Sequence, residues 1–338
     1  MTILEKQLTK EQIVFYGEIA KSTPYSATPW LDMVKKGRVL SPTKSNKISF
    51  DMKVGKIKMA ALKKKGGNGV KLLGNGWVRV TIDAGVIEAS INLSARELQE
   101  MQSGETEVLL DGVPVKTSAA LVQDKMSMVK ESIVQRMNLM SAQLVNSGTV
   151  TFSDGLNKYD FGIPATVTKD WDTDSITKIF HDILRDYRKA NGSLPVTLRI
   201  LVGHTLAEKL LTDDEFQGAR DAYNQNIANF SANTDAMIVG SMLNRVFEEA
   251  EIAVDERGED LMGAMDIKLV DTAKLGIAYA GIEIVNASGT PDILAADYFA
   301  DIEVASKKQA TAELFGKSGF LPIITDPESL RTYTITKS

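Results

Sequence analysis

The spacing of apolar residues changes several times along this chain, and the changes mark its parts. Thr9-Lys10-Glu11-Gln12 has the form of a capping box, and Ile13, Tyr16, Ile19 and Ala20 follow at helical spacing, which predicts a short N-terminal helix. Between Ser22 and Pro42 the chain carries Pro24, Pro29 and Pro42 and no sustained period, which predicts an extended run with no core of its own. From Lys47 the pattern becomes alternation. Ile48, Phe50, Met52 and Val54 form one run and Trp77, Val78, Val80 and Ile82 another, on either side of Lys63-Lys64-Lys65-Gly66-Gly67-Asn68-Gly69. That is the pattern of a long β-hairpin arm with a glycine-rich tip. A two-stranded ribbon is marginal in water, so such an arm is expected to become ordered mainly by docking on something else.

Asp111-Gly112 predicts a turn, and the longest periodic segment follows it. Val122, Met126, Val129, Ile133, Met137, Met140 and Leu144 recur at steps of three and four, one stripe of a helix over 118–147. At 1.5 Å per residue this helix spans roughly 40 Å. Asp124, Lys130, Glu131, Arg136 and Asn138 occupy its other side, so the spacing predicts one dry face. Val150 and Phe152, then Tyr159, Phe161 and Ile163, predict a hairpin about Asp154-Gly155. Asp174 is placed to cap a second helix carrying Ile176, Ile179, Phe180, Ile183, Leu184 and Tyr187, stopped by Asn191-Gly192. Val196 to Val202, Ile267 to Val270 and Ile277 to Val285 read as strands, with helices and loops between Thr205 and Ala250. Strand patterns return around Tyr298 to Val304, Phe320 to Ile324 and Tyr333 to Ile335, so the chain reads as α+β.

Composition then narrows the function. The 338 residues are 43% hydrophobic and 25% charged, which excludes wholesale disorder and collagen-like architecture. No stretch approaches the ~20 apolar residues of a membrane span, and Glu5 and Lys6 interrupt the first apolar run, so no secretory or transit signal is expected and the protein should stay in the compartment where it is made. The absence of cysteine excludes disulfides, thiol nucleophiles, iron–sulfur clusters and thiolate zinc sites. With His181 and His204 the only histidines, a His-rich metal centre is excluded as well.

The net charge of −5 is unevenly shared. Met52 to Ile82 contains Lys53, Lys56, Lys58, Lys63, Lys64, Lys65, Lys71 and Arg79 and no carboxylate, a charge of +8 that leaves −13 for the remainder. A basic arm on an acidic body suits either nucleic acid phosphates or the acidic surface of another copy of the chain.

The candidate catalytic features are individually weak. Lys65-Gly66-Gly67-Asn68-Gly69 lacks the buried strand, the helix N-terminus and the Gly-Lys-Ser/Thr of a phosphate loop. Asp255 to Asp260 carries four carboxylates without the spacing of an EF-hand and reads as a solvated acidic turn. His204 follows a strand, yet no Gly-x-Ser-x-Gly elbow or partner carboxylate accompanies it. The methionines of the long stripe read as gap-filling core. No catalytic, metal or cofactor site is therefore assigned.

Three groups of residues carry a resemblance. Met137 to Val150, with Ala142-Gln143 and Ser147-Gly148-Thr149-Val150, Asp160-Phe161-Gly162 with Trp171 beyond it, and Gly319-Phe320-Leu321-Pro322-Ile323-Ile324 followed by Asp326-Pro327 occur in the order found in tailed-bacteriophage major capsid proteins. Together with the order of parts, the chain resembles the lambda-type branch of the Hong Kong 97 capsid fold. The resemblance implies an N-terminal arm (1–45), an extended loop (46–88), a peripheral domain (89–180) with a spine helix (118–147), an axial α+β domain (181–285) and a return to the peripheral domain (286–338).

It further implies a structural subunit, not an enzyme, that forms pentamers and hexamers of an icosahedral head around double-stranded DNA without sequence-specific binding. Scaffolding, portal and decoration proteins are the implied partners, with no membrane. The implied place is the virion, after assembly in the host bacterial cytoplasm. Lys53, Lys56, Lys58, Lys63, Lys64, Lys65, Lys71, Trp77 and Arg79 are then expected at intersubunit contacts. The Lys, Asn and Glu arrangement of self-crosslinking members does not align here, so Lys63 to Lys65 are not given that chemistry. Two other readings stay open: a nucleic-acid-binding protein using the basic hairpin 53–79, and a bacterial shell-forming compartment protein of the same fold. A hydrolase or transferase would require His204 or the acidic turn to matter.

Overall fold

The computed structural model describes residues 28–53, 76–94, 107–110, 113–151, 158–216, 247–249, 252–254, 258–285, 290–306 and 311–337. The expected helix after Thr9 and the hairpin tip at 63–69 lie outside them, as do the turn residues Asp111, Gly112, Asp154 and Gly155. In chain order the elements are α1 (Pro29–Lys35), β1 (Arg38–Val39), β2 (Lys47–Lys53), β3 (Trp77–Asp83), β4 (Ile87–Leu93), β5 (Glu107–Leu110), β6 (Val113–Lys116), α2 (Thr117–Ser147), β7 (Thr149–Thr151), β8 (Lys158–Asp160) and β9 (Val167–Asp170). There follow α3 (Ile176–Asn191), β10 (Leu198–Val202), α4 (His204–Thr212), β11 (Phe247–Glu249), β12 (Asp266–Asp271), β13 (Leu275–Tyr279), β14 (Ile282–Val285), β15 (Pro291–Leu294), β16 (Phe299–Ser306), β17 (Thr311–Ser318), β18 (Phe320–Ile324) and β19 (Leu330–Thr336).

The 31-residue helix α2 is the spine. It stops because Gly148 takes φ +66, where a Cβ would also lie 2.5 Å from the Ile163 side chain. Of the stripe, Met126, Val129, Ile133, Met137, Met140 and Leu144 are buried, and the Val122 side chain lies outside the described residues. The expectation of one dry face holds only for the earlier turns. Every residue from Met140 to Asn146 is buried, so the last two turns are enclosed all round. Most of their polar groups bond locally: Ser141 Oγ donates to Met137 O, Asn146 Nδ2 donates to Ala142 O, and Gln143 Oε1 accepts from Thr151 N, which leaves Asn146 Oδ1 without a partner among the described residues.

Around the spine lies the first of two hydrophobic cores. The segment expected to run extended from Ser22 to Pro42 contains α1, which the prolines obscured. Pro29 opens that helix with a preset φ, and Trp30, Leu31 and Val34 are buried in the first core. Leu31 N donates to Asn138 Oδ1 on the spine at 3.0 Å. Seven residues are too few for an independent helix, so α1 exists by packing. Next, β1 joins β13 in parallel, opposite Gly276, where a side chain would meet Arg38 O at 2.4 Å. β18 completes that three-stranded sheet, and β16, β17 and β4 form another. β4 and β17 were not foreseen; β17 has no clean alternation, since Leu314, Phe315 and Gly316 are consecutive.

The second core is built on a five-stranded sheet in the order β11-β10-β12-β19-β9. Ile200, Ile267, Leu269, Tyr333 and Ile335 face α3 and α4 in this core, while Leu201, Val270 and Leu330 belong to the first. The sheet is thus a shared wall, which explains why Ile267–Asp271 is buried without interruption. β19 pairs with β12 here and does not return to the first core's sheets. Two details differ from the sequence reading. The cap of α3 is Ser175, whose Oγ accepts from Lys178 N, while Asp174 pairs with the Lys178 ammonium. Val196 is fully exposed and the strand starts at Leu198, because Pro195 turns the chain and its carbonyl accepts from Leu198 N.

Candidate assembly surface

The hairpin arm is present at its root. β2 and β3 pair in antiparallel register from Lys47↔Asp83 to Lys53↔Trp77, and among the described residues each strand has only the other as a partner. One face of the ribbon carries Ile48, Phe50 and Met52 on β2 and Ile82, Val80 and Val78 on β3. Ile48, Phe50 and Ile82 are buried in the first core, and the Phe50 ring lies 6.3 Å from that of Phe161. The root is therefore held by its own subunit, contrary to the expectation that the arm depends mainly on a partner. Toward the outer end the cover thins on β3, where Ile82 is 4% exposed and Val78 is 51% exposed, while Met52 opposite Val78 still packs against the first core. Trp77, on the opposite face, is 47% exposed.

The predicted contact residues divide accordingly. Arg79 is exposed, opposite Asp51 in the ladder. Lys53 is committed within its own chain, with its Nζ 2.7 Å from Asp326 Oδ2. Lys56, Lys58, Lys63, Lys64, Lys65 and Lys71 lie outside the described residues. Beside the ribbon, a cleft of about 250 Å³ opens between Gly85–Ala89 and the spine residues Ser132, Ile133, Arg136 and Met140.

The structure also brings out a residue that the sequence reading passed over. Lys268 is buried, and its Nζ donates to Asn146 O at 2.8 Å and to Thr332 Oγ1 at 3.0 Å. Asn146 O is one of the last carbonyls of the spine, whose own last turn holds no basic residue. A strand thus supplies the cation that favours the negative end of a helix. Burial pushes the Lys268 ammonium down to about 8, against the opposing pull of Asp266. The available signal was the spine's lack of a terminal cation; nothing in the sequence said which lysine would supply one.

His204 begins α4, and among the described residues its ring engages no hydrogen-bonding or ionic partner. No group of three or more metal-ligating side chains occurs among those residues, and no helix there is long and apolar enough to cross a membrane. Asp255, Glu256 and Arg257 of the acidic turn lie outside them.

A family model described as phage major capsid protein E matches residues 38–335. No curated protein matches the chain. Among solved structures, one described as a prophage capsid protein from Escherichia coli CFT073 superposes with a TM-score of 0.54 at 12% identity, covering 98% of this chain and 99% of that one. A phage-related protein from Bordetella bronchiseptica RB50 gives 0.47 at 9% identity over 95% of each chain. A mature-capsid chain of bacteriophage PhiM1 gives 0.47 at 13% identity, over 89% of this chain and 86% of that one.

Proposed function

Because the chain belongs to the phage major capsid protein E family, we propose that it assembles into pentamers and hexamers of an icosahedral head enclosing double-stranded DNA, with residues 46–88 lying over a neighbouring subunit. The protein is a structural capsid component and not an enzyme, and its α+β architecture is that of the Hong Kong 97-type fold. The observation that carries the proposal is the ribbon's apolar face, buried at Ile82 and left open at Val78, next to the exposed Trp77 at the end of the described ribbon. Open apolar side chains there favour a second body laid against them. The +8 charge of Met52 to Ile82 complements the −13 of the remainder on a neighbouring copy. Charge of this kind fixes register and speeds encounter, while Trp77 and strand addition along the ribbon supply affinity.

In this reading 89–180 is the peripheral part, 181–285 the axial part and 286–338 the return, with β19 counted among the axial strands because of its pairing. The head is assembled in the host bacterial cytoplasm, with scaffolding, portal and decoration proteins as further partners. An acidic wall leaves packaged DNA free to slide, since affinity for phosphate comes from basic side chains. The test replaces Lys63, Lys64 and Lys65 together with Glu. Circular dichroism should stay unchanged while sedimentation and negative-stain microscopy lose rings and shells; normal shells from this variant would reject the docking of the loop.

A further inference from the structure

Two of the links that carry the chain between the cores run side by side. One leaves β12 at Asp271 and passes through Thr272–Lys274 into β13; the other leaves β18 at Ile324 and passes through Thr325–Ser329 into β19. Thr325 ties them together, its N and Oγ1 donating to Lys274 O at 2.8 and 2.9 Å. From the second core, Tyr187 Oη donates to Ser329 O at 3.1 Å and Asn191 Nδ2 to Glu328 O at 3.0 Å.

The root of the basic loop is fastened to this joint. Lys53 N donates to Thr325 O at 2.7 Å, and Lys53 Nζ reaches Asp326 Oδ2 at 2.7 Å. Asp326 is 4% exposed, and its other carboxylate oxygen has no hydrogen-bond partner. Lys53 is the cation paired with this buried carboxylate, and removing one member of such a pair leaves an uncompensated charge. Lys53 also ends β2 opposite Trp77 at the start of β3, so both strands of the ribbon are fixed at the level of the joint.

We propose that the Lys53–Asp326 pair is a latch that couples the direction in which the loop leaves the subunit to the joint between the two cores. The inference rests on the reading of 46–88 as the intersubunit loop. A neighbour that displaces the ribbon either drags Thr325–Ser329 with it or strands the Asp326 charge. Loop direction and joint geometry therefore change together, between discrete arrangements and not by continuous bending. One sequence can then occupy rings of different size with two matched settings instead of many independent ones.

Since the chain has no cysteine, spin labels can be placed cleanly on Val78→Cys and Val196→Cys in the full-length, unassembled protein. Pulsed electron resonance should give one narrow distance distribution. Lys53→Met should widen it at least about two-fold while circular dichroism is retained. If leaving Asp326 unpaired prevents folding, the Lys53→Met/Asp326→Asn variant removes both charges and should widen it likewise. Unchanged widths in the folded variants overturn the latch, whatever their shells look like. A widened distribution accompanied by mixed particle sizes supports both ideas. Widening with uniform wild-type shells supports the latch and rejects the role of the loop in assembly.

Discussion

The two cores achieve burial in different ways. The second rests on one five-stranded sheet whose central strands pair over five residues each, with α3 and α4 laid on one face. The first rests on a single long helix surrounded by α1, a ribbon, sheets of two or three strands and the other face of that same five-stranded sheet. A two-stranded sheet is marginal by itself, and even three strands need a hydrophobic face to be stable. The first core therefore has one indispensable member, the spine, whereas the second distributes its stability over a sheet and two helices.

The largest effect should come from the spine. Ile133→Asp places an unpaired charge on its dry face, a loss of several kcal/mol, and should abolish folding; soluble variant with a full helical spectrum would show that the stripe is not the first core's centre. Phe180→Ala, in the second core, should cost about 3–5 kcal/mol by leaving a cavity. The protein should nonetheless remain folded, with a lowered denaturation midpoint, because the sheet persists. If Phe180→Ala unfolds the chain as completely as Ile133→Asp, the contrast between the cores is lost.

A smaller effect tests the wall between them. Lys268 ordinarily titrates near 10.5 and is pushed down to about 8 in the fold. Between those values the unfolded chain holds more protons on this group than the folded one, so its contribution makes stability rise with pH from about 8 toward 10. Above the ordinary tyrosine value of 10.0, Tyr187 and Tyr298, kept neutral by burial, reverse the trend because only the unfolded chain ionises. Denaturant titrations across this range should show the rise in the wild type and a flatter line in Lys268→Met. An identical slope in both would exclude Lys268 as the source.

What the sequence disclosed follows the same contrast. α3 is readable because its apolar residues keep helical spacing for three turns, and the spine because seven residues do so over six. The ribbon's two strands follow from alternation, whereas the register that pairs them does not. α1 was hidden because three prolines in its neighbourhood outweigh a seven-residue pattern whose stability comes from the spine. β17 was hidden because its neighbours β4 and β16, and not its own residues, make it a strand. Lys53 reads like the other basic residues of the arm, since no local rule distinguishes a lysine that finds a carboxylate 273 positions away. Lys268 is illegible for the same reason, its helix terminus lying 122 positions earlier.

Those separations set an order of events on the ribosome. At about 5–20 residues per second, the partner of Lys53 follows it by roughly fifteen seconds to a minute, and Asn146 waits roughly six to twenty-four seconds for Lys268. A nascent chain consequently exposes its cationic arm before that arm has an aim, and gains the means to hold it in place only once Asp326 has emerged.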